Sequence, residues 1–303
     1  MKLHLFGAST PGGEVLRQQA AACLPGWSVA IYSRKPHASA PGCYQANFHD
    51  PSGFCLAGPS DCPGLWISFA PIWLLAPFLE QLAVHFPERL RGMRGVIACS
   101  SSSALTKRFA ANRFDRQLVK RLVDAEQQLL ATCSSLQVPC RILRPTLIYG
   151  QAGPYRDQNL SQLIALLRRL PVLPLPAETG LRQPVHASQL AAVALQMANR
   201  LVNNDWDPGH PNYIEVGGDT ELSYTDMLLA LQRSLPQDDS ARQCRLLPVP
   251  NRLFFLLAAP LLIRSPKAFE AVLRMGADLS GFTPAHQHLG EPPQPFPLQP
   301  LAR

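Results

Sequence analysis

The chain reads as an α/β protein built on a doubly wound parallel sheet, and three observations lead there. Short apolar strands alternate with helices from the first residue onward. A glycine-rich turn stands directly between the first strand and the first helix. The 303 residues, 47% hydrophobic and 16% charged, suffice for one sizeable core with a smaller lobe beside it.

Taken in order, Lys2 to Phe6 is a short strand and Glu14 to Cys23 a helix. Trp27 to Tyr32 and Leu65 to Phe69 are the next strands, and Ile72 to Phe86 is a long apolar helix. Gly95 to Cys99 is a strand, Asp115 to Cys133 a helix, and Cys140 to Leu143 a strand closed by Arg144-Pro145. Parallel strands need crossover connections, so this rhythm implies helices on both faces of the sheet. Beyond residue 150 the rhythm loosens. Pro171 to Pro176 holds three prolines, and the proline-rich last fourteen residues are expected to be extended.

Charge and cysteine usage narrow the class. The net charge is +7, with a basic run from Lys107 to Arg121 that lacks the aromatic interleaving of a nucleic-acid surface; it reads as a solvated helix face. Eight cysteines are scattered without a C-x-x-C pair or a histidine at ligand spacing. No metal and no disulfide framework is expected, and the thiols read as reduced in a cytoplasm. The first residues carry no apolar signal core. The longest apolar run, Leu253 to Ile263, contains Pro260 and is too short to span a bilayer. It reads as a buried helix, with an interfacial helix between Arg252 and Arg264 as the alternative.

The first turn is Gly7-Ala8-Ser9-Thr10-Pro11-Gly12-Gly13. Glycines there let a diphosphate approach the backbone, and the helix amino end adds free N–H donors and a favourable dipole. Gly7, Ser9, Thr10, Gly12 and Gly13 are therefore expected to line a dinucleotide. Thr10 stands where a G-x-x-G-x-x-G turn has its middle glycine. Either Gly12 takes the close-approach role, or the Thr10 hydroxyl donates to a phosphate. At the end of the second strand Ser33, Arg34 and Lys35 stand where an NAD-preferring site has a carboxylate. Their donors and charge suit a 2′-phosphate, so the cofactor read is NADP, with NAD as the alternative; the plainer reading has Arg34 and Lys35 capping an exposed strand end. The expected organisation is a dinucleotide-binding core over residues 1–150, rejoined by 187–216, and a substrate lobe over most of 151–303.

Arg144-Pro145-Thr146-Leu147-Ile148-Tyr149-Gly150 closely resembles the R-P-x-x-x-Y-G segment of extended short-chain dehydrogenases, the NAD-dependent epimerase/dehydratase family. Gln183 to Ala187, Tyr213 to Tyr224 and Leu289 to Phe296 resemble further segments of that family, in the same order. The resemblance implies a Rossmann-type core. It also implies that Asn47 contacts the adenine, that Ala70 passes beneath the ribose, and that Ser100 and its neighbours lie beside the nicotinamide. Pro145, Thr146 and Tyr149 would close the nicotinamide pocket, while Tyr155, Arg156 and Arg182 would face the substrate, Arg182 gripping a phosphate. The implied substrate is a nucleotide-linked sugar or a similar polar carbonyl. A homodimer is expected by analogy with the fold.

One departure bears on chemistry. Such enzymes carry Tyr-x-x-x-Lys on the helix after the serine strand, because a phenol of pKa about 10 becomes a useful acid or base only beside a cation. The tyrosines here are at 32, 44, 149, 155, 213 and 224, and none is followed four residues on by lysine. Phe109 and Phe114 occupy the stretch where that tyrosine is expected. The remaining candidates are Ser101 and Ser102 with Lys107, or Tyr149 or Tyr155 as the acid; otherwise these residues only bind ligand. His186 reads as a hydrogen-bonded structural histidine. Three functions stay open: an NADP-dependent epimerase or reductase, a catalytically degenerate dinucleotide-binding sensor or scaffold, and a chain with the fold but no dinucleotide.

Overall fold

The structure, a computed structural model, describes residues 1–34, 42–58, 63–110, 112–203, 205, 211–260 and 264–298. Lys35 and residues 261–263 of the apolar run therefore lie outside the described residues. From the amino end come β1 (Lys2–Phe6), α1 (Pro11–Cys23), β2 (Ser28–Ser33), β3 (Cys43–Gln45), β4 (Gly64–Ser68), α2 (Ile72–His85) and β5 (Met93–Cys99). Next are α3 (Ser103–Thr106), α4 (Arg113–Ser135) and β6 (Cys140–Pro145). The short strands β7 (Ile148–Tyr149), β8 (Gln151–Ala152) and β9 (Tyr155–Arg156) lead to α5 (Asn159–Arg169) and β10 (Val172–Pro176). Then follow β11 (Leu181–Arg182), β12 (Val185–His186), α6 (Ala187–Val202), β13 (Tyr213–Val216), β14 (Leu222–Ser223) and α7 (Tyr224–Ser234). The described helices and strands end with β15 (Arg245–Val249), α8 (Asn251–Ala258), α9 (Pro266–Leu273) and α10 (Ala285–Leu289).

Seven parallel strands form the central sheet in the order β3-β2-β1-β4-β5-β6-β13. The order reverses between β1 and β4. At such a switch the connections leave in opposite directions and open a crevice beyond the carboxyl ends of the strands. Strand alternation divides the core in two. Leu3, Leu5, Leu65, Ile67 and Ile97 face α1 and α6. Phe6, Tyr32, Trp66 and Val96 face α2 and α4. His4 shares this second face, where its Nδ1 pairs with the Tyr32 hydroxyl at 2.9 Å, and burial with the Lys2 charge lowers its pKa to about 4.

The smaller lobe has its own core, with Leu160, Ile164 and Leu167 of α5 against Met227, Leu228 and Leu231 of α7. The prolines at 171–176 do not prevent a strand. β10 pairs with β15 in a two-stranded parallel ladder, where each strand is an edge and a missing N–H is tolerated. Past α10 the chain runs without helix to residue 298, as its prolines predict. Asp219 holds it down: its carboxylate, with the side chain 1% exposed, accepts from the N–H of His286 at 2.8 Å, from that of Gln294 at 3.0 Å and from Gln189 Nε2 at 2.7 Å.

The apolar run is a correction to the sequence reading. Only Phe254 and Ala258 of α8 turn inward, whereas Leu253, Leu256 and Leu257 stand 47%, 69% and 68% exposed. Periodicity reports an apolar helix but not which of its faces is covered.

Gly7 has φ +77°, and a Cβ built there would lie 2.4 Å from the Ala70 nitrogen. Its need is thus set first by the β4 turn packed against it. Gly7→Ala is expected to cost about 3 kcal/mol of folding stability, read as a lowered urea midpoint at unchanged m-value.

Candidate functional site at the carboxyl edge of the sheet

Gly7, Ser33, Ala70, Ser100 and Thr146 converge on one edge, because each stands at or just past the end of a strand of the central sheet. At the switch point, Thr10 caps α1. Its hydroxyl donates to the Gly7 carbonyl at 2.9 Å and accepts from the Gly13 N–H at 3.1 Å. The hydroxyl is thereby committed to the turn, which corrects the alternative that it donates to a phosphate. Pro11 carries no N–H. Among the described residues the N–H groups of Ala8, Ser9 and Gly12 have no partner, leaving three backbone donors at the positive end of α1. A Cβ at Gly12 would come 3.1 Å from the Phe69 ring, so that half-buried phenyl occupies the room a larger residue would take.

Toward the β2 side, Ser33 is half-buried and Arg34 exposed. Asn47 is exposed at the end of β3, and its Oδ1 accepts from the His49 N–H at 3.1 Å. Ala70 is buried, with its N–H donating to Ser68 Oγ at 3.2 Å.

On the β5 side the backbone is stitched together. Ser102 donates its N–H to the Pro145 carbonyl and Thr146 its N–H to Val216, each at 2.9 Å. The Thr146 hydroxyl bonds the Gln183 carbonyl. Ser101 Oγ accepts from the Ser103 N–H at 3.1 Å. Ser100 Oγ donates to Glu126 Oε1 at 2.5 Å, and Arg144 grips the same carboxylate with Nε at 3.1 Å and Nη2 at 2.5 Å. The Arg144 guanidinium also lies 3.8 Å from the centre of the Tyr213 ring. Glu126 is 0% exposed, an acid missed by motif reading although it interrupts the apolar series Leu122, Ala125 and Leu129 on α4.

This network fixes which face of α4 looks toward the serines. One and two helical turns before Glu126 that face carries Leu122 and Leu118, one buried and one partly buried. Phe109 and Phe114 are instead 87% and 62% exposed. They lie at the surface, whereas Leu118 and Leu122 share the Glu126 side of α4 and pack in the core.

Two of the other candidate groups, Lys107 and Tyr149, are paired within the protein. Lys107 Nζ pairs with Asp115 Oδ1 at 2.8 Å, and Asp115 also takes bonds from Asn112 and Arg274. Burial opposes ionisation of Asp115, but those bonds from Lys107, Asn112 and Arg274 outweigh it and hold the carboxyl at about 2. Lys107 is thus paired with Asp115, which in turn takes the Arg274 guanidinium from the smaller lobe. Tyr149 is 2% exposed, its hydroxyl accepts the Leu298 N–H at 2.9 Å, and burial pushes its pKa to about 12. It lies beneath the C-terminal segment, against Phe296 and His186, instead of at the mouth of the cleft.

Arg182, expected to grip a substrate phosphate, is buried, and its guanidinium bonds the carbonyls of Leu181, Ala277 and Arg274. Tyr155 and Arg156 form the β8–β9 hairpin packed beside α1, with Arg156 exposed and bonded to Gln151 Oε1 at 2.9 Å. His186 is structural, as the sequence suggested. It caps α6 through Nδ1, which lies 2.7 Å from Ser188 Oγ, and burial lowers its pKa to about 4.

No protein-family model matches the sequence, and no curated protein matches it either. Solved structures match the fold over nearly the whole chain. A nucleoside-diphosphate-sugar epimerase from Staphylococcus aureus gives a TM-score of 0.56 at 14% identity, covering 99% of each chain. The Citrobacter sp. triphenylmethane reductase complexed with NADP(H) gives 0.61 at 14% identity over 98% of each. A human epimerase family protein with NADPH gives 0.60 at 12% identity, over 96% of this chain and 93% of that one. At such identities the likeness establishes a shared Rossmann-type fold.

Two outcomes test this geometry. Glu126→Ala strands the Arg144 charge in the interior, and a loss of about 3–5 kcal/mol is expected in chemical denaturation. His186 has its pKa lowered from 6.5 to about 4, so the unfolded chain binds the proton first as pH falls. The stability it contributes is present above pH 6.5 and is lost as pH falls through about 4. His186→Asn, which keeps a capping acceptor, should flatten that part of the profile by on the order of 1 kcal/mol per pH unit.

Proposed function

We propose that this protein binds NADP at the carboxyl edge of its sheet and lacks the proton relay of alcohol–carbonyl oxidoreductases, acting as a dinucleotide-binding sensor or scaffold. The observation that carries the reading is that Lys107 is tied to Asp115 and Tyr149 is buried under Leu298, with leucines at 118 and 122 on α4. Cofactor binding is supported by the switch-point crevice, the unpartnered N–H groups of Ala8, Ser9 and Gly12, and exposed Arg34 at the end of β2. The donor set fits a diphosphate, with Pro11 making it one donor poorer than an ordinary helix end. NADP is preferred over NAD because no acid stands at residues 33–35. The compared reductase and human protein were solved with NADP(H) and NADPH.

A second reading keeps an enzyme that reduces or epimerises a nucleotide-linked sugar or similar polar carbonyl. Ser101 and Ser102 at the β5 tip and exposed Arg156 are its supporting residues. Calorimetric titration separates the readings when paired with absorbance assays on nucleotide sugars and NADPH. Binding of NADP without any turnover supports the first, and oxidation of NADPH by any such substrate overturns it. Arg34→Ala is expected to weaken NADP roughly tenfold or more while leaving NAD within about twofold.

A further inference from the structure

We propose that the outer face of α8 and the cations around it form a docking surface for an anionic lipid bilayer. The proposal does not rest on the dinucleotide reading. The helix carries two apolar faces. Phe254 and Ala258, four residues apart, seat it against the lobe near β10 and α9. Leu253, Leu256 and Leu257, spaced at three and four residues, share the opposite face and stand 47%, 69% and 68% exposed. The helix already has its seat, so these leucines are surplus to the core. A cluster of large apolar side chains in water marks an interaction surface.

Charge identifies the occupant. From residue 240 to 269 the chain carries Arg242, Arg245, Arg252, Arg264 and Lys267 and no aspartate or glutamate, although it holds 21 acids in all. The four arginines are exposed. An apolar stripe with Arg252 at its start and Arg264 beyond its end matches the boundary between acyl chains and anionic headgroups, where the leucines enter and the guanidinium groups stay at phosphate level. A second copy of the chain docked on the same face about a twofold axis would bring the Arg252 and Arg264 sides of two copies toward each other. No helix among the described residues is long and apolar enough to cross a membrane, so the contact is peripheral. The surface is also tied to the carboxyl-edge site. α9 runs directly into Arg274, whose guanidinium pairs with Asp115 beside Lys107.

Co-sedimentation of the full chain with vesicles tests the proposal, comparing phosphatidylglycerol mixed with phosphatidylcholine against phosphatidylcholine alone. The wild type is expected to pellet with the anionic vesicles and to be released by salt. Leu256→Glu with Leu257→Glu, and separately Arg252→Glu with Arg264→Glu, should each reduce the bound fraction roughly tenfold or more. All of these positions are at the surface, so thermal melting and NADP titration should match wild type and exclude misfolding as the cause. The proposal is overturned if wild type stays in the supernatant, or if it binds neutral and anionic vesicles equally. It is also overturned if light scattering shows a dimer that Leu256→Glu with Leu257→Glu dissociates while no vesicle binds, since the face would then join two copies of the chain.

Discussion

A carboxylate with no access to water holds the centre of this molecule together. Glu126 sits on α4 inside the apolar layer, and an ionised acid is tolerable there only with its lone pairs filled. Arg144 supplies two bonds in a fork, and Ser100 supplies a third. Three separate pieces of chain, the helix, the end of β6 and the tip of β5, are thereby fixed at one point. The Tyr213 ring over the guanidinium brings in β13, the last strand of the sheet. The same lock sets the rotation of α4, with Leu118 and Leu122 on the side of the helix that carries Glu126.

The consequence for function is a division between holding and reacting. Backbone groups at the start of α1 stay unpartnered at the switch point, which is the condition for receiving an anion. Several side chains able to exchange a proton nearby are bonded to other parts of the protein. Lys107 and Asp115 join the β5 loop to the smaller lobe, Tyr149 receives the C-terminal segment, and His186 ends a helix. These groups organise structure around the carboxyl edge of the sheet.

The sheet was legible in the sequence because its evidence is local. The short apolar runs in Lys2–Phe6 and Gly64–Ser68, together with the glycine turn, suffice for the β1, α1 and β4 arrangement. The short β3 lacked any such pattern; Cys43–Gln45 is three residues of mixed polarity that pair only because β2 offers an edge. Residue roles were less legible, because they depend on partners remote in the chain. Arg182 looks like a ligand-gripping arginine until Ala277 and Arg274 fold against it. Tyr149 looks like an acid at a pocket mouth until Leu298 covers it. The outward leucines of α8 were hidden for a related reason: an apolar helix with one covered face and one bare face has the same composition as a helix buried all round.

The carboxylate of Asp219 has a consequence for the order in which the chain can complete itself. It joins Gln189 in α6 to the backbone of His286 and Gln294, and the segment it secures carries on to Leu298 over Tyr149. A ribosome delivers residues in sequence, so a nascent chain can assemble the six sheet strands up to β6 long before these contacts are available. Until then Tyr149 stands uncovered and the carboxylate is hydrated. Covering of Tyr149 therefore waits for residues 286–298, which are made after the strands they close over.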